Sequence, residues 1–98
     1  MQLQIPIINN TNLSRFETKI NGELAYVDYR FYKDDIALMH TFVPGIARGK
    51  GISSALAKFA LEYVKEQNLK LIVYCPVIAK YIKQHPEYEA LIDKQYRK

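Results

Sequence analysis

Apolar and polar side chains alternate with one period in the first half of this chain and another in the second. Residues 13–20 alternate weakly and read as a strand. Asn21-Gly22 follows, a dipeptide suited to the left-handed positions of a tight hairpin turn. Residues 23–32 alternate fully. Ala25, Val27, Tyr29 and Phe31 fall on one face, and Leu24, Tyr26, Asp28, Arg30 and Tyr32 on the other. Lys33-Asp34-Asp35 turns the chain again. Residues 36–43 form a third strand, apolar on both faces apart from His40 and Thr41, as a central strand would be. Three strands joined by such short turns predict an antiparallel meander. Upstream, residues 3–8 are apolar but hold Pro6, so they make at best an edge strand. Asn9-Asn10-Thr11-Asn12 reads as a turn cluster.

After residue 51 the period becomes helical. Ile52, Ala55, Leu56, Phe59, Ala60, Tyr63 and Val64 share one stripe that runs to about Gln67, while Lys58, Glu62, Lys65 and Glu66 face water. Asn68 ends the helix, and residues 70–75 (Lys-Leu-Ile-Val-Tyr-Cys) read as a buried strand. Strand, helix, strand at this spacing is a βαβ unit, so the last strand runs parallel to the third through a right-handed crossover. Pro76 suits the first turn of a second helix, which turns Val77, Ile78, Tyr81 and Ile82 inward and stops before Pro86. Residues 90–96 form a short final helix. The expected fold class is therefore α/β (α+β): one domain over residues 1–98, a strand meander followed by a βαβ unit and one or two C-terminal helices.

Composition narrows the partners. A chain of 98 residues makes one domain with a modest core. Its single Cys excludes an intramolecular disulfide and points to a reducing compartment or a reactive thiol. The start lacks a basic region, and no stretch approaches the ~20 apolar residues of a membrane span, so a cytoplasmic location without a membrane partner is expected. A net charge of +4 suits an anionic ligand. The aromatics do not interleave with Lys and Arg as a base-stacking platform would, which argues against a nucleic-acid partner. No metal set is expected.

The chemistry gathers where the two periods meet, at Pro44-Gly45-Ile46-Ala47-Arg48-Gly49-Lys50-Gly51-Ile52-Ser53-Ser54. Glycines here lie where a strand turns into a helix. The first N–H groups of a helix have no internal partner and carry the positive end of its dipole, so such a junction can cradle a phosphate or pyrophosphate. Gly49 and Gly51 would let the backbone approach it, and Arg48 and Lys50 add charge. A plain tight turn is the competing reading. The P-loop pattern fails, because three residues separate Gly45 from Gly49 and Gly51 follows Lys50 where a hydroxyl is needed. The dinucleotide fingerprint fails too, with Ser54 in its last place and Cys75, not a carboxylate, ending the next strand.

The segment resembles motif A of the GNAT superfamily of acyl-CoA-dependent N-acetyltransferases, [QR]-x-x-G-x-[GA]. Arg48-Gly49-Lys50-Gly51-Ile52-Ser53 fits it, with Ser53 in the final place, which narrows the last amide pocket. His40-Thr41-Phe42-Val43-Pro44, Tyr74-Cys75-Pro76 and His85-Pro86-Glu87-Tyr88 extend the likeness to a compact GNAT-like branch, over about residues 13–92. The resemblance implies acetyl-CoA or CoA held by Phe42, Val43, Arg48, Gly49, Lys50, Gly51, Ile52, Ser53 and Ser54. It implies transfer of the acetyl group to a small-molecule or protein amine acceptor. It also places His40 and Cys75 near the acetyl group as catalytic residues. These two come from neighbouring strands and point at one region if their faces agree. Cys75, beside a His and just before a helix, would favour its thiolate and could carry the acyl group. In direct transfer His40 would instead be general base. Both residues also admit a bland reading, as a core thiol and a hydrogen-bonded core His. Tyr81 sits on the helix where larger GNAT enzymes place a Tyr that protonates the leaving thiolate, but their N-x-x-A…Y…G-F pattern is missing. The meander turns are too short for the two helices that wall the acceptor site in those relatives. A non-catalytic acyl-CoA-binding domain is therefore the alternative.

Overall fold

The computed structural model describes residues 5–49 and 51–96. Five strands form one sheet in the order β1-β2-β3-β4-β5: β1 Ile8–Asn10, β2 Arg15–Ile20, β3 Glu23–Tyr32, β4 Asp35–Phe42 and β5 Lys70–Val73. The first four pair antiparallel and β4 pairs β5 in parallel, giving the expected meander and βαβ unit. Helix α1 spans Ile52–Glu66 and α2 spans Pro76–Gln84. Asn21 and Gly22 both take positive φ at the β2–β3 turn, as that dipeptide favours. Among the described residues no helix is long and apolar enough to cross a membrane, and no group of three His, Cys, Asp or Glu could hold a metal.

Alternation builds the core. Ala25, Val27 and Tyr29 of β3 are buried on one sheet face with Phe16 of β2 and Ile36 and Leu38 of β4. Leu56, Ala57, Ala60, Leu61 and Val64 of α1 and Ile78 and Ile82 of α2 complete that core. The α1 stripe is rotated from the expected one: Ala57 and Leu61 are buried, while Ala55, Phe59 and Tyr63 are partly exposed. Phe16 sits at the centre of an aromatic cluster, with ring centroids 4.9 Å from Tyr29, 5.6 Å from Phe59 and 5.2 Å from Tyr63. Phe31, placed by alternation on the same face, is exposed.

Three expectations are corrected. Asn9 and Asn10 are strand, not turn, because their side chains are satisfied across the sheet: Tyr29 Oη donates to Asn9 Oδ1 at 2.7 Å and Asn10 Nδ2 to Glu17 Oε1 at 3.2 Å. Of the edge strand expected over residues 3–8, residues 3 and 4 lie outside the described residues. Strand β5 stops at Val73, and Cys75 is the N-cap of α2; the N–H groups of Tyr74 and Cys75 both donate to the Leu38 carbonyl, at 3.0 and 3.2 Å. Residues 90–96 form no α-helix. They contribute to 3₁₀ turns at Pro86–Leu91 and Lys94–Tyr96, separated by a bridge of Ile92 to Leu71. Tyr88 holds this tail to α1, its hydroxyl donating to Glu62 Oε2 at 2.7 Å.

Candidate functional site

Strand β4 pairs with β5 only from Asp35 to Leu38; Met39–Phe42 continue without that partner. The parallel strands therefore splay at Leu38. Into that splay opens a groove of about 640 Å³ lined by residues 40–43, 47–49 and 51–54 and by Val77 of α2. Every cofactor residue expected from the sequence lines it except Lys50, which lies outside the described residues. Ala47 and Val77 were not expected. Val77, expected to turn inward on α2, is instead exposed at the groove, while Ile78 and Ile82 alone of that set are buried.

The loop between β4 and α1 takes its shape from its small residues. A 3₁₀ turn at Gly45–Ala47 closes through Ala47 N–H to the Pro44 carbonyl at 2.9 Å. Gly49 at φ 79° and Gly51 at φ 78° are left-handed, the conformation Cβ opposes. Gly51 is the N-cap of α1, with no side chain capping the first turn and no acidic residue in it. Neither the N-cap nor the first turn thus supplies a side-chain anion to the opening N–H groups of α1 and their share of the helix dipole. Arg48 Nε donates to the Val43 carbonyl at 3.2 Å, bracing the loop to the end of β4. A smaller hollow of about 270 Å³ adjoins the groove through Ser53, Ser54 and Val77 and adds Lys80, Tyr81 and Gln84. Lys80 brings a cation to that end. Burial raises the Tyr81 hydroxyl above its usual range, and its ring stacks on His85 at 4.2 Å.

The structure does not bring His40 and Cys75 together. Between Asp28 and Tyr29 the β3–β4 register shifts: Tyr29 faces Leu38, but Asp28 faces His40, leaving Met39 as an extra residue on β4. This bulge reverses the alternation of β4. Leu38 and Thr41, paired with Tyr29 and Val27, face the helices, whereas His40 and Phe42, paired with Asp28 and Tyr26, face away. His40 is exposed, 6.4 Å from the Tyr26 ring. Cys75 is 1% exposed, and its Sγ lies 3.0 Å from Thr41 Oγ1, a hydrogen bond in which either atom can donate. Thr41, not His40, is the neighbour of the thiol. Both His40 and Thr41 line the groove.

Comparison with known proteins fits this geometry. A family model described as GCN5-related N-acetyl-transferase matches residues 15–91. Protein NATD1 of Xenopus tropicalis is 39% identical over 75 residues, covering 74% of this chain and 69% of that protein. Protein NATD1 of Mus musculus is 40% identical over 75 residues, 74% and 68% respectively. A Staphylococcus aureus protein described as GCN5-like, solved by solution NMR, superposes with a TM-score of 0.70 at 26% identity. The match covers 91% of this chain and 88% of that one. With its meander, its splayed parallel pair and its glycine-shaped helix start, the chain belongs to the GCN5-related N-acetyltransferase family.

Proposed function

We propose that this protein is an acetyl-CoA-dependent N-acetyltransferase that moves the acetyl group directly to an amine. The observation that carries the reading is the groove at the β4–β5 splay, walled by left-handed glycines and the uncapped start of α1. Its loop amides and helix dipole suit the pyrophosphate of CoA. Lys80, in the adjoining hollow, suits a further phosphate. The thioester would then lie towards residues 40–43, where β4 has left β5 and backbone N–H groups can polarise a carbonyl.

The separation of His40 and Cys75 supports direct transfer. The amine nitrogen forms a C–N bond to the thioester carbonyl, the C–S bond breaks, and the sulfur leaves as a thiolate. The amine's proton passes to His40, whose exposed imidazole at the groove can act as general base. Cys75 is less suited to a covalent route: its sulfur is buried and its hydrogen-bond neighbour is Thr41. Intact mass after incubation with acetyl-CoA alone tests the route. Direct transfer leaves no hydroxylamine-labile acetyl group on Cys75, and Cys75→Ala keeps much of the wild-type rate. His40→Ala loses roughly 10²–10⁴-fold. A thioester adduct on Cys75, absent in Cys75→Ala together with activity, would overturn it.

A further inference from the structure

The bulge at Met39 also borders a second hollow. It has a volume of about 680 Å³ and is lined by Leu13 and Ser14 of the turn before β2, by residues 28–31 of β3 and by Met39. Asp28 Oδ1 is buried and has no hydrogen-bond partner. A carboxylate oxygen removed from water ordinarily has a donor, so this orphan leaves the Asp28 carboxylate, a lining residue of the hollow, short of the compensation a buried anion needs. The neighbouring cation Arg15, paired with Asp28 across β2–β3, is engaged elsewhere: its Nε donates to Glu17 at 2.6 Å and its guanidinium lies over the Tyr26 ring. Arg30 lines the same hollow two residues along the strand and has no ion pair among the described residues. Two residues along a strand is a separation of ~7 Å on one face.

We infer that this hollow binds the acetyl acceptor, and that the acceptor is a primary amine carrying its own anionic group, as an amino acid does. The inference rests on the acetyl-transfer reading. Asp28 takes the ammonium and Arg30 the anion, while Leu13, Phe31 and Met39 offer apolar surface to the remainder. A bare polyamine suits the hollow poorly, because Arg30 repels it. His40 is the register partner of Asp28 on β4, and opposed side chains in a sheet lie ~5 Å apart at Cβ. His40 also lines the cofactor groove. An amine held at Asp28 is therefore placed beside the proposed base.

Backbone amide NMR of the labelled protein tests this, with and without saturating CoA, using L-phenylalanine and phenethylamine as probes. L-Phenylalanine should shift the amides of Asp28, Arg30, Met39 and His40, and phenethylamine should bind at least about 10-fold more weakly. Asp28→Asn should weaken L-phenylalanine about 10-fold or more. Arg30→Gln should abolish the preference for the amino acid. Both variants should keep the CoA-induced shifts of residues 47–54. Equal binding of the two probes, unchanged binding in Asp28→Asn, or no shift in the hollow while CoA shifts its own groove, each overturns the inference alone. Absence of CoA shifts would instead remove the cofactor reading beneath it, and the probe titration without CoA still reads the hollow.

Discussion

Replacing Gly49 with Ala separates what the loop does for the fold from what it does for a ligand, provided Gly22 is replaced in parallel. Gly49 sits at φ 79° and Gly22 at φ 80°, and a Cβ built on either meets nothing within 4 Å. Neither substitution creates a clash within the protein. Both carry the cost of an L-residue in the left-handed region, about 1–2 kcal/mol. For a domain of this size, each kcal/mol lowers the Tm by roughly 4–8 °C, so both variants should melt roughly 4–16 °C below wild type. Only Gly49 lines the groove, whereas Gly22 lies at the β2–β3 turn. Gly49→Ala should therefore weaken CoA at least about 10-fold, equivalent to about 1.4 kcal/mol of binding, while Gly22→Ala binds as wild type. Thermal melts and titration calorimetry on the two variants supply both readings. Equal CoA affinity in the two proteins would refute the claim that the Gly49 backbone is approached by the ligand.

Other expectations concern the core and its titrating groups. Phe16→Ala removes the centre of a fully buried aromatic cluster and should cost about 3–5 kcal/mol by denaturant unfolding; a loss below about 1 kcal/mol would show that the cluster is not essential. Burial first, then a hydrogen bond and charge from Asp93, raises the Asp35 carboxyl above its ordinary 3.8. The folded chain then holds this proton more tightly than the unfolded one. The contribution is fully present below the unfolded pKa and is lost as pH rises through the raised folded value. Asp35→Asn should flatten the stability profile from about pH 4 upward, and a profile parallel to wild type would contradict this. Glu17 behaves oppositely: its hydrogen bond from Arg15 lowers its pKa, so its contribution is lost as pH falls through the folded value. Thr41→Val removes the polar neighbour of Cys75. Thiol modification should stay slow in wild type because Cys75 is buried; rapid labelling of the native protein would count against the burial of its sulfur.

Much of the fold was legible because burial imposes period. Alternation over residues 23–32 located β3, and the change to a helical period at Ile52 located α1 to within a residue of each end. The strand–helix–strand spacing then required the parallel pair. What escaped depends on partners distant in sequence. Asn9 and Asn10 favour a turn until Tyr29 and Glu17 satisfy them across the sheet. The Met39 bulge has no sequence mark, since Leu38, Met39 and the residues before them are apolar whichever face they take. That single extra residue sends His40 and Thr41 to the faces opposite those an unbroken strand would give. The glycines of the groove could be read because their left-handed backbone demands them. The Asp28 hollow could not, because it is made by the turn before β2, by β3 and by the bulge of β4.

The central claim is that acetyl-CoA lies along the splay between β4 and β5, over the start of α1. Titrating the isotopically labelled protein with acetyl-CoA and following backbone amides tests it most directly. Saturable shifts should centre on residues 40–43, 47–49, 51–54 and Val77, extending to Lys80, and leave Gly22 and its neighbours unmoved. No saturable shift at millimolar acetyl-CoA, or shifts centred away from the groove, would contradict the account.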